Sequence, residues 1–142
     1  MSVGDSIRDQ VRVLEMTEKS LPFVIDSWLK SYRDSEAVQG LSREVYFDGQ
    51  RGVIERLLKR ATVRLVVNRD DPDQFYGWSC FESTVPIATL HYVYVKHKFR
   101  GFGLDDLLVS DLIDAPVVYS HLGSFKDKLP AGSYFNPYKA MA

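Results

Sequence analysis

Three strand-like segments in close succession constrain this chain most. Thr62–Asn68 is rich in β-branched residues, and residues 75–83 and 87–96 continue the pattern. The first break is the turn cluster Arg69-Asp70-Asp71-Pro72-Asp73, and the second is a short turn containing Pro86. Together they predict an antiparallel meander.

Helical patterns flank the meander. A short first strand, residues 12–16, precedes a turn at residues 17–20. Ser20 is placed to cap a helix, and Pro22 sits where a first helical turn tolerates proline. Val24, Ile25, Trp28, Leu29 and Tyr32 then recur at helical spacing. After a polar loop, a second helix is predicted over residues 50–60, with Val53, Ile54, Leu57 and Leu58 as its apolar stripe. Its opposite face carries Arg51, Glu55, Arg56, Lys59 and Arg60, which reads as solvated. Beyond the meander, Leu104, Leu107, Leu108 and Leu112 mark a third helix, ended by Pro116, with a strand at residues 117–120. A short tail from about residue 123 is aromatic and turn-rich, with Tyr134, Phe135 and Tyr138. This order predicts an α+β fold: a mixed, largely antiparallel sheet flanked by helices. With 142 residues and no repeat, residues 1–142 are expected to form one domain.

Composition removes several function classes. Lys+Arg is 18 and Asp+Glu is 19, a formal net charge of -1, which argues against general nucleic-acid binding. Cys80 is the one cysteine, so neither an internal disulfide nor a cysteine-based zinc site is expected. The spacing of metal-ligating residues suggests no metal site. No apolar run reaches the roughly 20 residues that span a bilayer. The first residues lack the apolar stretch of a secretory signal, so the expected compartment is the cytoplasm, with no membrane partner.

The segment that carries chemistry runs Val93-Tyr94-Val95-Lys96-His97-Lys98-Phe99-Arg100-Gly101-Phe102-Gly103-Leu104-Asp105-Asp106. It reads as a strand, a glycine-bearing loop and a helix start. Free backbone N–H groups and glycines that admit close approach make such a unit an anion site. Lys96, Lys98 and Arg100 add positive charge. The spacing matches neither the dinucleotide fingerprint nor the phosphate loop of nucleotide triphosphatases.

This segment resembles the acyl-CoA loop of the GNAT superfamily of N-acetyltransferases. Members carry a valine strand, a short link, an aromatic residue, then Arg/Gln-x-x-Gly-x-Gly/Ala. Here Val95, Phe99, Arg100 and Gly103 match, while Asp105 stands where the family has a small residue. The element order matches over roughly residues 11–122. Residues 22–35, residues 91–100 and Phe135-Asn136-Pro137-Tyr138 are similar to small GNAT-like proteins, several encoded by bacteriophages. The resemblance implies a GNAT-like fold that binds acetyl-CoA as acyl donor. Val93, Tyr94 and Val95 would face the pantetheine and thioester. Arg100, Gly101, Phe102, Gly103, Leu104 and Asp105 would cradle the pyrophosphate.

The implied reaction is direct acetyl transfer to an amine of unknown identity. It needs a base for the amine and an acid for the leaving thiolate. Glu82 and His91 are the candidate bases. By strand alternation, His91 shares a face with Ile87, Thr89, Val93 and Val95. The competing readings are a buried structural histidine and an exposed strand-end acid. The resemblance implies a tyrosine acid, for which the tail offers Tyr134 and Tyr138, with packing of the tail as the competing reading. The tail is short for the family, so the acceptor side would be either incomplete or completed by the second subunit of a homodimer. The alternative function is a GNAT-fold interaction protein without catalysis, acting on a partner protein.

Overall fold

The computed structural model describes residues 7–141. In chain order the elements are β1 (Val11–Glu15), α1 (Leu21–Tyr32), α2 (Arg43–Leu58), β2 (Thr62–Asn68), β3 (Phe75–Glu82), β4 (Thr89–Val95), α3 (Leu104–Val109), β5 (Val118–Tyr119) and β6 (Tyr134–Phe135). The strands form one sheet in sequence order. β1 to β4 run antiparallel, and β4, β5 and β6 are mutually parallel. The meander and the α+β class are therefore as the sequence predicts.

Helices cover both faces, as the strand alternation requires. On one face Val24, Trp28 and Leu29 of α1 and Ile54 and Leu57 of α2 pack on Val63, Leu65, Trp78 and Cys80. On the other, Leu104, Leu108 and Val109 of α3 pack on Val66, Phe81 and Leu90. All these side chains are buried. Each large aliphatic one contributes about 1.5–3 kcal/mol. Two buried polar contacts fix α1 in place. Tyr46 O–H donates to the Leu29 carbonyl at 2.5 Å, and Trp78 Nε1–H donates to Ser27 Oγ at 2.8 Å.

Four local expectations are corrected. Ser20 holds the N-cap position of α1, but its side chain makes no capping bond; its Oγ accepts from Thr17 N–H and donates to the Thr17 carbonyl, closing the preceding turn. The second helix starts at Arg43 rather than near residue 50, because Ser42 Oγ accepts Val45 N–H at 3.2 Å. Gly49, a poor helix former, obscures that first half in the sequence. The third helix ends at Val109, well before Pro116. Sheet side chains hold its last carbonyls, with Ser79 Oγ and Arg64 both donating to Leu108 O. The tail supplies an unanticipated strand: Tyr134 N–H donates to Val117 O and Asn136 N–H to Tyr119 O, forming β6.

The largest correction lies within β4. Cys80 pairs with Tyr92 but Phe81 pairs with Leu90, so His91 is the extra residue of a β-bulge. Leu90, Val93 and Val95 consequently face α3, while Tyr92 and Tyr94 face α1. The imidazole of His91 reaches Glu82 and Ser120 instead of joining Val93 and Val95. Among the described residues, no helix is long and apolar enough to cross a membrane.

Candidate functional site

The bulge is where the sheet divides. β5 pairs with β4 only at Thr89 and Leu90, and Tyr92 to Val95 continue past its end. A cleft of about 470 Å³ fills the fork, within the usual range for ligand sites. One wall is the free edge of β4. The other is formed by Tyr119, His121, Leu122, residues 123–126, Lys128 and Leu129.

Backbone polarity along that edge follows from one hydrogen bond. Lys96 N–H donates to Tyr76 O at 2.8 Å. The alternation of an antiparallel ladder then directs the amides of Tyr92 and Tyr94 toward β3, and those of Val93 and Val95 into the fork. Arg100 Nε takes the Val95 carbonyl at 2.7 Å. The cleft is thus edged by main-chain groups with a guanidinium at its mouth.

The loop after β4 depends on two glycines. Gly101 has φ +85 and Gly103 φ +79, conformations that cost other residues about 1–2 kcal/mol. Gly103 immediately precedes α3, whose first turn carries Asp105 and Asp106. Asp105 lines the cleft, and Lys128 Nζ lies 2.5 Å from its Oδ2. That contact holds the lysine above the usual amine range. The carboxylate at the doubtful loop position is therefore paired across the cleft. Arg8 adds a third cation, donating to the Gly103 carbonyl at 3.3 Å.

At the apex of the fork, side chains from four places join in one file. Gln50 Nε2 lies 2.9 Å from His121 Nε2, and His121 Nδ1 lies 2.9 Å from Ser120 Oγ. Ser120 Oγ lies 2.6 Å from His91 Nδ1, and His91 Nε2 lies 2.8 Å from Glu82 Oε2. Arg60 Nε donates to the other Glu82 oxygen at 3.3 Å. Both histidines line the cleft although nearly all their surface is buried. Burial depresses His91, partly opposed by Glu82. Burial and the nearby His91 lower His121 to about 3. Both rings are neutral at physiological pH.

The structure thus gathers Val93, Tyr94, Val95, Arg100, Gly101, Leu104, Asp105 and His91 around one cleft, with Glu82 hydrogen-bonded behind His91. Phe102 and Gly103 belong to the same loop without lining the cleft, and the tail tyrosines stand apart. Tyr134 is 50% exposed and Tyr138 78% exposed, and neither lines the cleft. Cys80 is fully buried and its thiol is pushed far up by desolvation, so it has no nucleophilic character. Gln50, Ser120, His121 and Lys128 are site residues that sequence reasoning did not assign. None stands in a motif, and only the folded chain brings them together.

The fold is that of GNAT acetyltransferases. A Pyrococcus furiosus chain described as a candidate acetyl transferase aligns with 93% of this chain and 89% of its own, at 17% identity and TM-score 0.57. A GNAT-family acetyltransferase from Staphylococcus aureus aligns with 73% of this chain and 64% of its own, at 15% identity and TM-score 0.50. The GNAT-family N-acetyltransferase YhbS from Escherichia coli, solved in complex with CoA, aligns with 74% of this chain and 55% of its own, at 14% identity and TM-score 0.52. This chain therefore spans less than two thirds of the latter two. No protein-family model matches the sequence, and no curated protein does.

Proposed function

We propose that this chain is an acetyl-CoA-dependent N-acetyltransferase that passes the acetyl group directly from thioester to amine. The observation that carries the reading is the fork between β4 and β5, with the two-glycine loop at its mouth. The CoA complex of a structure sharing this fold supports the same ligand class. Acetyl-CoA would lay its pantetheine arm along Val93 and Val95 and its pyrophosphate against residues 100–105. Arg100 and Arg8 supply positive charge there.

In the reaction the amine nitrogen attacks the thioester carbonyl carbon. The Val93 N–H, directed into the fork, would stabilise the developing oxyanion. Glu82 and His91 together provide the basic end of the site. Asp105 does not oppose the phosphates as a bare charge, because Lys128 neutralises it.

Isothermal titration with acetyl-CoA and with CoA tests this. Saturable binding is expected, weakened by Arg100→Ala and strongly weakened by Gly103→Glu. No heat at millimolar ligand would overturn the reading and leave the non-catalytic interaction protein in its place.

A further inference from the structure

The file of side chains at the fork apex has a direction, and Glu82 sets it. A carboxylate offers only lone pairs. His91 must therefore carry its proton on Nε2, toward Glu82 Oε2. Its bare Nδ1 accepts the Ser120 hydroxyl proton, 2.6 Å away. Ser120, having donated that proton, accepts one from His121 Nδ1–H at 2.9 Å. This leaves His121 Nε2 bare, and the Gln50 amide N–H fills it at 2.9 Å. One carboxylate thus fixes two tautomers and a hydroxyl, and every link is satisfied.

We propose that Ser120 and His121 complete a two-way proton relay, with His121 Nε2 as its port and Glu82 as its store. Gln50 is buried and does not line the cleft, so its amide must swing off His121 Nε2 for the N–H of an acceptor amine to take its place. The inference rests on the acetyltransferase reading and assigns the proton's route within it.

As the amine lone pair attacks the thioester carbon, one N–H bond breaks and its electron pair stays on nitrogen. The proton goes to His121 Nε2. His121 Nδ1 passes its own proton to Ser120, Ser120 passes its to His91 Nδ1, and His91 Nε2 passes its to Glu82. The carboxylate becomes a carboxylic acid. When the intermediate collapses, the C–S bonding pair leaves on sulfur. Each proton then moves back one place, and His121 Nε2 delivers one to the thiolate. The products are an amide and a thiol, and the file returns to its starting polarity without exchanging a proton with solvent.

Two features favour a relay over a single base. Buried imidazoles disfavour the doubly protonated form, and concerted transfer never requires it of either ring. The relay also supplies the acid, so the exposed Tyr134 and Tyr138 are not needed for that step. Arg60 beside Glu82 pairs the resting charge. Ser120 and Glu82 act through the histidines and are positioning residues.

The test combines three measurements on the full chain. Histidine ¹⁵N spectra of the wild type should show His121 protonated on Nδ1 and His91 on Nε2. Ser120→Ala should lower kcat for propylamine by about 100-fold or more, the usual scale of acid–base catalysis. Its acetyl-CoA affinity by calorimetry should stay within about twofold, and Ser120→Thr, which keeps the hydroxyl, should restore most of kcat. A wild-type His121 protonated on Nε2 overturns the relay whether or not propylamine is acetylated. So does a Ser120→Ala enzyme with kcat within about threefold of wild type. If the wild type binds no acetyl-CoA, the acetyltransferase reading fails and the relay fails with it. Intact binding with either negative result removes the relay alone.

Discussion

The two ends of the cleft are built from different materials. The mouth is main chain: free amides of Val93 and Val95, two left-handed glycines, and cations that lean on them. The apex is side chain: Gln50, His121, Ser120, His91 and Glu82, drawn from α2, the segment after β5, β4 and β3. Main-chain recognition needs a local backbone path, so it occupies one short stretch of sequence. Side-chain relays need several elements at one point, so they exist only once the chain has folded. The comparison predicts that damage at one end leaves the other working.

The sharpest way to break it is a double-mutant cycle. Ser120→Ala and Glu82→Gln should each lower kcat by about 10²–10³ and together do little worse, because both interrupt one file. Ser120→Ala combined with Gly103→Ala should instead add, with kcat lost through one change and acetyl-CoA affinity through the other. Additive losses within the apex would mean that its residues act separately.

Acid titration probes the apex alone. His121 has a folded pKa of about 3, well below the 6.5 of an ordinary histidine. Between those values the unfolded chain binds the additional proton. Stability present above pH 6.5 is therefore lost as pH falls toward 3, at about 1.4 kcal/mol per unit from this group. The depressed His91 acts in the same direction. Chemical denaturation across this range measures the slope. A flat profile would place charge in the apex that the burial of both rings forbids.

The mouth responds to smaller changes. Gly103→Ala forces a side chain into φ +79 and toward the Arg8 guanidinium, 3.2 Å from the new Cβ. Acetyl-CoA affinity should fall by about tenfold, the equivalent of 1.4 kcal/mol. Lys128→Ala should weaken binding by about threefold, more at low salt, and change stability by less than about 1 kcal/mol, since this lysine is largely exposed. Calorimetry at two ionic strengths separates these effects. A Lys128→Ala variant that binds more tightly would show that the Asp105 contact competes with the ligand.

The same division explains what was legible in the sequence. The meander, α1 and the loop at residues 100–105 each announce themselves through periodicity, turn residues or glycine spacing. Asp105 could be flagged as a misfit, but Lys128 lies 23 positions away and its pairing needs the turn at residues 124–128. Glu82 and His91 could be named from their neighbouring strands. Their link to Ser120 and His121 could not, because it depends on a two-residue β5 and on α2 delivering Gln50. The first half of α2 was hidden by Gly49 and by the charged Arg43 and Glu44 at its start, although Ser42 caps it.

The bulge at His91 shows how an alternating code can fail. A strand behaves as a signal of period two, and one inserted residue shifts its phase by half a cycle. Everything before His91 and everything after it then reads on opposite counts, although each half is regular. That shift turns Val93 to the face opposite the imidazole while leaving its amide on the open edge. Deleting a single residue between positions 89 and 91 would restore a uniform count at the expense of that arrangement: the valines and the histidine would fall in step on one face of the strand.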